Sequence, residues 1–240
     1  LANTSTRLEV SWVLMPSTAR AAAHSSEEAN QLVSGALRIA LLVGVPLGVL
    51  FHVGAAVCLE TLFGTAYLPA APVLQVMAPT VALTYMSTVC AIALIQRGHT
   101  WRVAAVSLAG VLATVAFTAV LVPWGARVLG PAGGAQGAAW AELSTEAVVT
   151  IMLATLSRHY WADSKLLRTT AALAGGVAAV ALLVRLAPLS DVSAVVASFV
   201  VFAATFLAIG GVDRADLAFC RRALTRSRPT LSPVLSPELT

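Results

Sequence analysis

Two carboxyl side chains, Glu142 and Glu146, stand four residues apart inside a run of apolar and small residues, GAAWAELSTEAVVTIMLATL. At helical spacing they share one face, roughly 6 Å apart. Two ionised carboxyls that close repel, so at least one is expected to hold a proton near neutral pH. An acid within an apolar segment is costly unless it serves a purpose, and this pair suits reversible uptake of a proton or cation, with Glu146 as the coupling group and Glu142 tuning it. A plain interhelical hydrogen bond explains Glu146 equally well. His52, alone in a second apolar run, reads first as an interhelical hydrogen-bonding group and second as a proton relay.

Other chemistries lack their residues. Cys58, Cys90 and Cys220 have no CxxC spacing, and His24, His52, His99 and His159 lie far from them in sequence, so neither a disulfide framework nor a metal site is expected. No GxxxxGK[ST] loop is present, which argues against a nucleotide-driven pump. A membrane glycosyltransferase or polymerase would need a polar loop carrying clusters of Asp, Glu, Arg or His, and the longest external segment, 124–135, has one charge. We therefore expect no enzyme and no cofactor. The net charge of +4 does not point to nucleic acid, because the basic residues fall in short loops between apolar runs.

The elements that must position the acids are membrane helices. Of 240 residues 58% are hydrophobic and only 11% charged, too little polar surface for a water-soluble domain of this length. The acids sit on a helix expected over 136–157, preceded by a loop rich in Gly and Pro from residue 121 in which Pro123 ends the previous helix. Gly133, Gly137 and Ala141, again four apart, form a small-xxx-small face where another helix can approach closely. Val149 is expected to lie away from that groove.

Upstream, a polar-flecked helix over 8–23 is expected to line a cavity. Ser25, Ser26, Glu27 and Glu28 then supply caps and first-turn acids for the next helix. Its charge-free stretch, 39–59, is long enough to span, and Gly44, Pro46 and Gly48 predict a hinge there. A turn over 62–72, with Gly64 suited to the left-handed C-terminal position and Tyr67 to the membrane interface, leads into a span over 72–96. Arg97, Gly98 and His99 make a tight cationic turn into a span over 101–122, and two more spans, 169–188 and 192–211, form a terminal hairpin. The chain thus reads as six full spans and one partial: residues 1–158 as one lobe, 169–212 as the hairpin, and 213–240 as a basic tail without enough apolar surface to order itself.

Threading these spans with a cytoplasmic tail puts 12 of the 15 Lys and Arg residues, Arg38 among them, on the cytoplasmic side, which sets the orientation. The chain opens LANTSTRLEV, with neither an initiator Met nor a signal peptide, and is expected to be the C-terminal part of a longer protein.

The order of motifs resembles a family. LMPSTARAA (14–22), LFGTAYLPAAPVLQVMAP (62–79), LIQRGHTWR (94–102) and LVPWGARVLGPAGGAQGAAWAELSTEAV (121–148) are together similar to the C-terminal half of bacterial polysaccharide flippases, within the multidrug/oligosaccharidyl-lipid/polysaccharide exporter superfamily. The matching positions are Pro16, Phe63 and Gly64 with Tyr67, Arg97 and Gly98, Val122 and Pro123, Gly137 to Ala139, and Glu146; the 127–135 stretch is longer than the family's loop. The resemblance implies a fourteen-helix transporter that flips undecaprenyl-pyrophosphate-linked oligosaccharide outward across the bacterial cytoplasmic membrane by alternating access. It implies as partners the lipid-linked oligosaccharide, membrane lipids, a missing N-terminal lobe and a polysaccharide polymerase, and no nucleic acid. A lipid II flippase, a multidrug or cation antiporter of the same superfamily, and a non-transporting anchor of a synthesis complex are the alternatives.

Overall fold

Long stretches without charge leave the backbone nothing but itself to hydrogen-bond in an apolar solvent, and the helix is the local solution. The computed structural model describes residues 26–130, 133–158, 164–186 and 192–209. Among these the chain is all-α: α1 (Ser26–Val53), α2 (Ala55–Phe63), a 3-10 turn (Thr65–Ala70), α3 (Ala71–Met77), α4 (Thr80–Gln96), α5 (Thr100–Val128), α6 (Gly133–Leu156), α7 (Ser164–Leu186) and α8 (Val192–Ala208). The expected helix over 8–23 with Pro16, the residues linking the terminal pair and the tail from 213 lie outside the described residues.

Four of these helices are long and apolar enough to cross a membrane: Asn30–Val53, Thr100–Val128, Gly133–Leu156 and Lys165–Leu186. A fifth crossing results if the bent pair Thr65–Met77 and Thr80–Gln96 acts as one span, while Val192–Ala208 is shorter. This is the make-up of a multi-pass membrane protein.

Several boundaries differ from expectation, each for a local reason. α1 begins where the Ser-Glu-Glu signal places it, but ends at Val53 instead of 59. Gly54 leaves the helical conformation at φ −88° and ψ 10°, and the chain restarts as α2. Gly64 does take positive φ, 88°, but with ψ 171°, so it is an extended turn residue and not the left-handed helix cap expected of it. The span over 72–96 is broken: α3 and α4 meet at 41° around Ala78 and Pro79, where proline removes a hydrogen-bond donor and crowds the preceding turn.

The largest difference is at Pro123. α5 does not stop there; it runs on to Val128, and α6 starts at Gly133, so the expected loop from residue 121 shrinks to the few residues between Val128 and Gly133. A proline inside a helix costs about 3 kcal/mol in water, but in lipid the broken bond is tolerated where a neighbouring helix is close. Here it is very close, because continuing α5 sets Gly125 against Gly133 and Gly137.

The core runs along α1, which packs on both α4 and the terminal pair, while α6 joins it through α4. Leu37, Leu94, Leu166 and Cys90 are fully buried there, with Phe202 and Phe206 reaching in from α8. The α7 and α8 helices pack on each other and on α1. Arg38, threaded above as a loop cation, lies within α1 at only 9% exposure, and its Nε donates to Thr169 Oγ1 on α7 at 3.2 Å. The Arg97 turn forms as the sequence suggests: Gly98 has φ 78°, and the Gly98 and His99 amides cap the Ile95 and Leu94 carbonyls at 2.9 Å each.

Candidate functional site

α6 holds the expected acids and has two different faces. The first is the small-residue face. A methyl group at Gly133 would overlap the Gly125 carbonyl, one at Gly137 would overlap the Leu121 carbonyl, and one at Gly110 would come within 2.8 Å of Val149 Cγ2. The helix resting on Gly133 and Gly137 is therefore α5, backbone against backbone, with Ala141 buried on the same stripe. Val149 touches α5 as well, through Gly110 and further along the same helix pair, contrary to the expectation that it lies away from the groove.

The second face meets α3 and α4. Because α6 begins at Gly133 and not at 136, Glu146 is thirteen residues from its first residue and ten from its last, close to mid-helix. It is half-buried. Its Oε1 accepts hydrogen bonds from Thr84 Oγ1 at 2.9 Å and Ser87 Oγ at 3.1 Å, both on α4. One turn further along α6, the Thr150 hydroxyl donates to the Leu83 carbonyl at 3.2 Å. The charge-free span thus supplies a hydroxyl stripe, Thr80, Thr84, Ser87 and Thr88, at helical spacing on the side facing α6 at Thr84 and Ser87.

The Ser87 hydroxyl has a second acceptor, the Thr84 carbonyl at 3.0 Å, and one proton to give. It can donate to the carboxylate or turn back to its own helix. A hydroxyl that turns away from the carboxylate presents a lone pair, so Thr84, Ser87 and Glu146 bring several oxygen atoms together at one level of the bundle. Among the described residues, no cluster of three or more His, Cys, Asp and Glu is placed to hold a metal ion.

Glu142 and Glu146 do not share this environment. Glu142 is exposed, and the hydroxyls of α4 address Glu146 alone. The i to i+4 spacing places both on one side of α6, but α4 crosses that side at the level of Glu146.

His52 is elsewhere. It is exposed at the end of α1, and its Nδ1 lies 2.9 Å from the Gln75 carbonyl on α3, an interhelical contact. A carbonyl only accepts, so the contact puts the proton on Nδ1. His52 lines a half-open cleft of about 260 Å³ between α1, α3 and α6, whose walls include Gln75, Pro79, Gln136, Trp140 and Leu143. The expected hinge residues are packing residues as well: a methyl at Gly44 would come within 2.8 Å of Ala82 Cα, and one at Gly48 within 3.1 Å of the Ala78 carbonyl. α1 passes Pro46 unbroken. Both glycines press on the chain beside the Pro79 break, Gly48 just before it and Gly44 just after it.

The acids were legible because charge is rare in this chain. Thr84, Ser87 and Thr150 were not, since single hydroxyls satisfy their own helix and leave no mark in hydropathy; only the spacing of the α4 stripe could have singled them out. No protein-family model, curated protein or solved structure matches the chain.

Proposed function

We propose that this chain is part of a transporter of the bacterial cytoplasmic membrane that flips undecaprenyl-pyrophosphate-linked oligosaccharide outward for cell-surface polysaccharide synthesis, coupled to a proton or cation through Glu146. The observation that supports this reading is the carboxylate at mid-helix, held by two hydroxyls, Thr84 and Ser87, of a span that is broken at Pro79, one to two turns before them. A carboxylate accepts several hydrogen bonds in either a structural or a coupling role, and what bears on coupling is the choice open to Ser87. Here Ser87 has two acceptors, so changing the charge at Glu146 changes which helix Ser87 bonds to. That is a local link between ion occupancy and the contact between α4 and α6, the kind of differential contact by which an ion can bias two conformations of a carrier.

The motif resemblance supplies the cargo, and with it the missing N-terminal lobe and a polysaccharide polymerase as partners. No step here requires an enzyme active site or a cofactor. The test is Glu146→Gln in the full protein, which keeps shape and hydrogen bonding while removing titration. We expect the variant to insert and fold normally but to lose export of the lipid-linked oligosaccharide, or its dependence on the ion gradient, by about tenfold or more. Normal transport with unchanged pH and ion dependence would reduce Glu146 to a packing residue; normal polysaccharide output with no flipping by either protein would favour an anchor.

A further inference from the structure

The end of the bundle away from the His52 cleft gathers cations around the start of α5. α5 and α6 run antiparallel, with Gly125 on Gly133, Leu121 on Gly137 and Gly110 on Val149. Arg102 lies eight residues before Gly110 on α5, and Arg158, just past the end of α6, lies nine after Val149. The seam therefore sets the two arginines at one level, to within about 1.5 Å of rise. Both are exposed. Trp101 beside them is 84% exposed, more than any other large apolar side chain among the described residues. α5 carries no Asp or Glu, and neither does α6 beyond Glu146. Among the described residues the acids of this end are Glu27 and Glu28, which start α1 on the side where Arg97 donates to Asn30, so Arg97 is left out of the patch.

From Trp101 onward the face of α5 turned away from the seam is apolar. Ala105, Leu108, Leu112 and Val115 follow at steps of three or four residues, the last three 62–65% exposed. Of the four spanning helices α5 is the least covered, with 11% of its apolar stretch buried against 28–33% in the others. We infer that this face is a docking surface for an anionic phospholipid, with the phosphate at Arg102 and Arg158 and the acyl chains along Leu108, Leu112 and Val115. Charge decides between lipids: a zwitterionic phospholipid covers the apolar ladder equally well but leaves two exposed arginines without a counter-charge, whereas cations near the surface favour an anionic headgroup. Trp101 stands where an aromatic ring sits between headgroup and chain. A second membrane helix is a poorer occupant, because helices in lipid meet through small residues, as in the seam between α5 and α6, and this face presents branched ones. The surface lies across α5 from α6, so it depends neither on Glu146 nor on the transport reading.

The test uses the full protein in vesicles of phosphatidylcholine with a minor share of phosphatidylglycerol. Trp12→Phe, Trp124→Phe, Trp140→Phe and Trp161→Phe leave Trp101 as the sole tryptophan. Either the phosphatidylglycerol or an equal share of the phosphatidylcholine carries bromine, which quenches tryptophan fluorescence on contact. Brominated phosphatidylglycerol is expected to quench Trp101 about threefold more, and Arg102→Gln combined with Arg158→Gln to level the two lipids. Arg185→Gln, at an exposed position in the last turn of α7, and Glu146→Gln should leave the preference unchanged. Should the single-tryptophan protein fail to insert, native mass spectra of the parent replace it: more phosphatidylglycerol than phosphatidylcholine is retained, and the excess is lost with the two arginines. Equal quenching or retention of the two lipids, or a preference that survives loss of both arginines, overturns the assignment. So does stronger displacement of the brominated lipid by undecaprenyl phosphate than by an equal amount of unlabelled phosphatidylglycerol, which would make the face a polyprenyl site.

Discussion

The two faces of α6 solve the same problem, holding a neighbour in an apolar medium, by opposite means. Toward α5 the contact is backbone on backbone, through Gly125, Gly133 and Gly137, with no room for a single methyl group. Toward α4 it is made by side chains, with Glu146, Thr84, Ser87 and Thr150 reaching across. Van der Waals contact between backbones is non-directional in chemistry but rigid in shape, so the α5–α6 hairpin can only move as a body. Hydrogen bonds between hydroxyls and a carboxylate can be exchanged one for another at small cost, so the α4–α6 face can have two states. In a transporter of the kind proposed, the first kind of contact would belong inside the moving part and the second at its boundary.

The comparison breaks most visibly if the glycine seam tolerates bulk. Gly137→Leu should cost about 3 kcal/mol or more, because the obstruction is the backbone at Leu121 and Val122 and cannot rotate away, and folded yield in size-exclusion profiles should collapse. The control on the same helix is Ile151→Leu, 62% exposed, expected to stay within about 0.5 kcal/mol of the parent. Val149→Leu is no control, since it crowds Gly110. Equal yields of Gly137→Leu and Ile151→Leu would mean that the hairpin is not the rigid unit described.

A smaller effect separates backbone from side-chain obstruction elsewhere in the bundle. Gly44→Ala places its methyl 2.8 Å from Ala82 Cα and should lower thermal stability by about 1–3 kcal/mol. Gly175→Ala meets only the end of the Ile209 side chain, at 2.7 Å, which can turn aside; the better helix propensity of alanine should leave the change within about 0.5 kcal/mol. If the two variants melt alike, obstruction by backbone and by side chain are equivalent here, and the argument for a rigid seam weakens.

On the polar face the expected stability effects are smaller still. Thr84→Val removes one donor to Glu146 and should cost about 0.6–1.7 kcal/mol in thermal denaturation, while altering the pH or ion dependence of transport. A loss as large as that of Gly137→Leu would mark the face as structural. Glu142→Gln, at an exposed position outside the reach of the α4 hydroxyls, should change stability least, by less than about 0.5 kcal/mol, and leave transport near normal. Loss of transport in Glu142→Gln but not in Glu146→Gln would exchange the roles of the two acids.

What the amino-acid sequence determined by itself was what depends on local composition. Long charge-free runs required helices that cross an apolar layer, rare acids announced themselves at Glu142 and Glu146, and Gly98 after Arg97 made the turn between α4 and α5. The small residues at Gly133 and Gly137 predicted a close neighbour. What only the tertiary structure decided was which neighbour, and therefore where helices end. Proline at position 123 is a stop signal in isolation, yet α5 continues through it because Gly125 beyond it meets α6. Proline at position 79, in an equally apolar run, does break the helix. The difference between the acids has the same origin. Four residues along one helix make Glu142 and Glu146 nearly identical to any rule of spacing, and it is the crossing of α4, set by packing among distant parts of the chain, that gives one of them hydroxyl partners and leaves the other exposed.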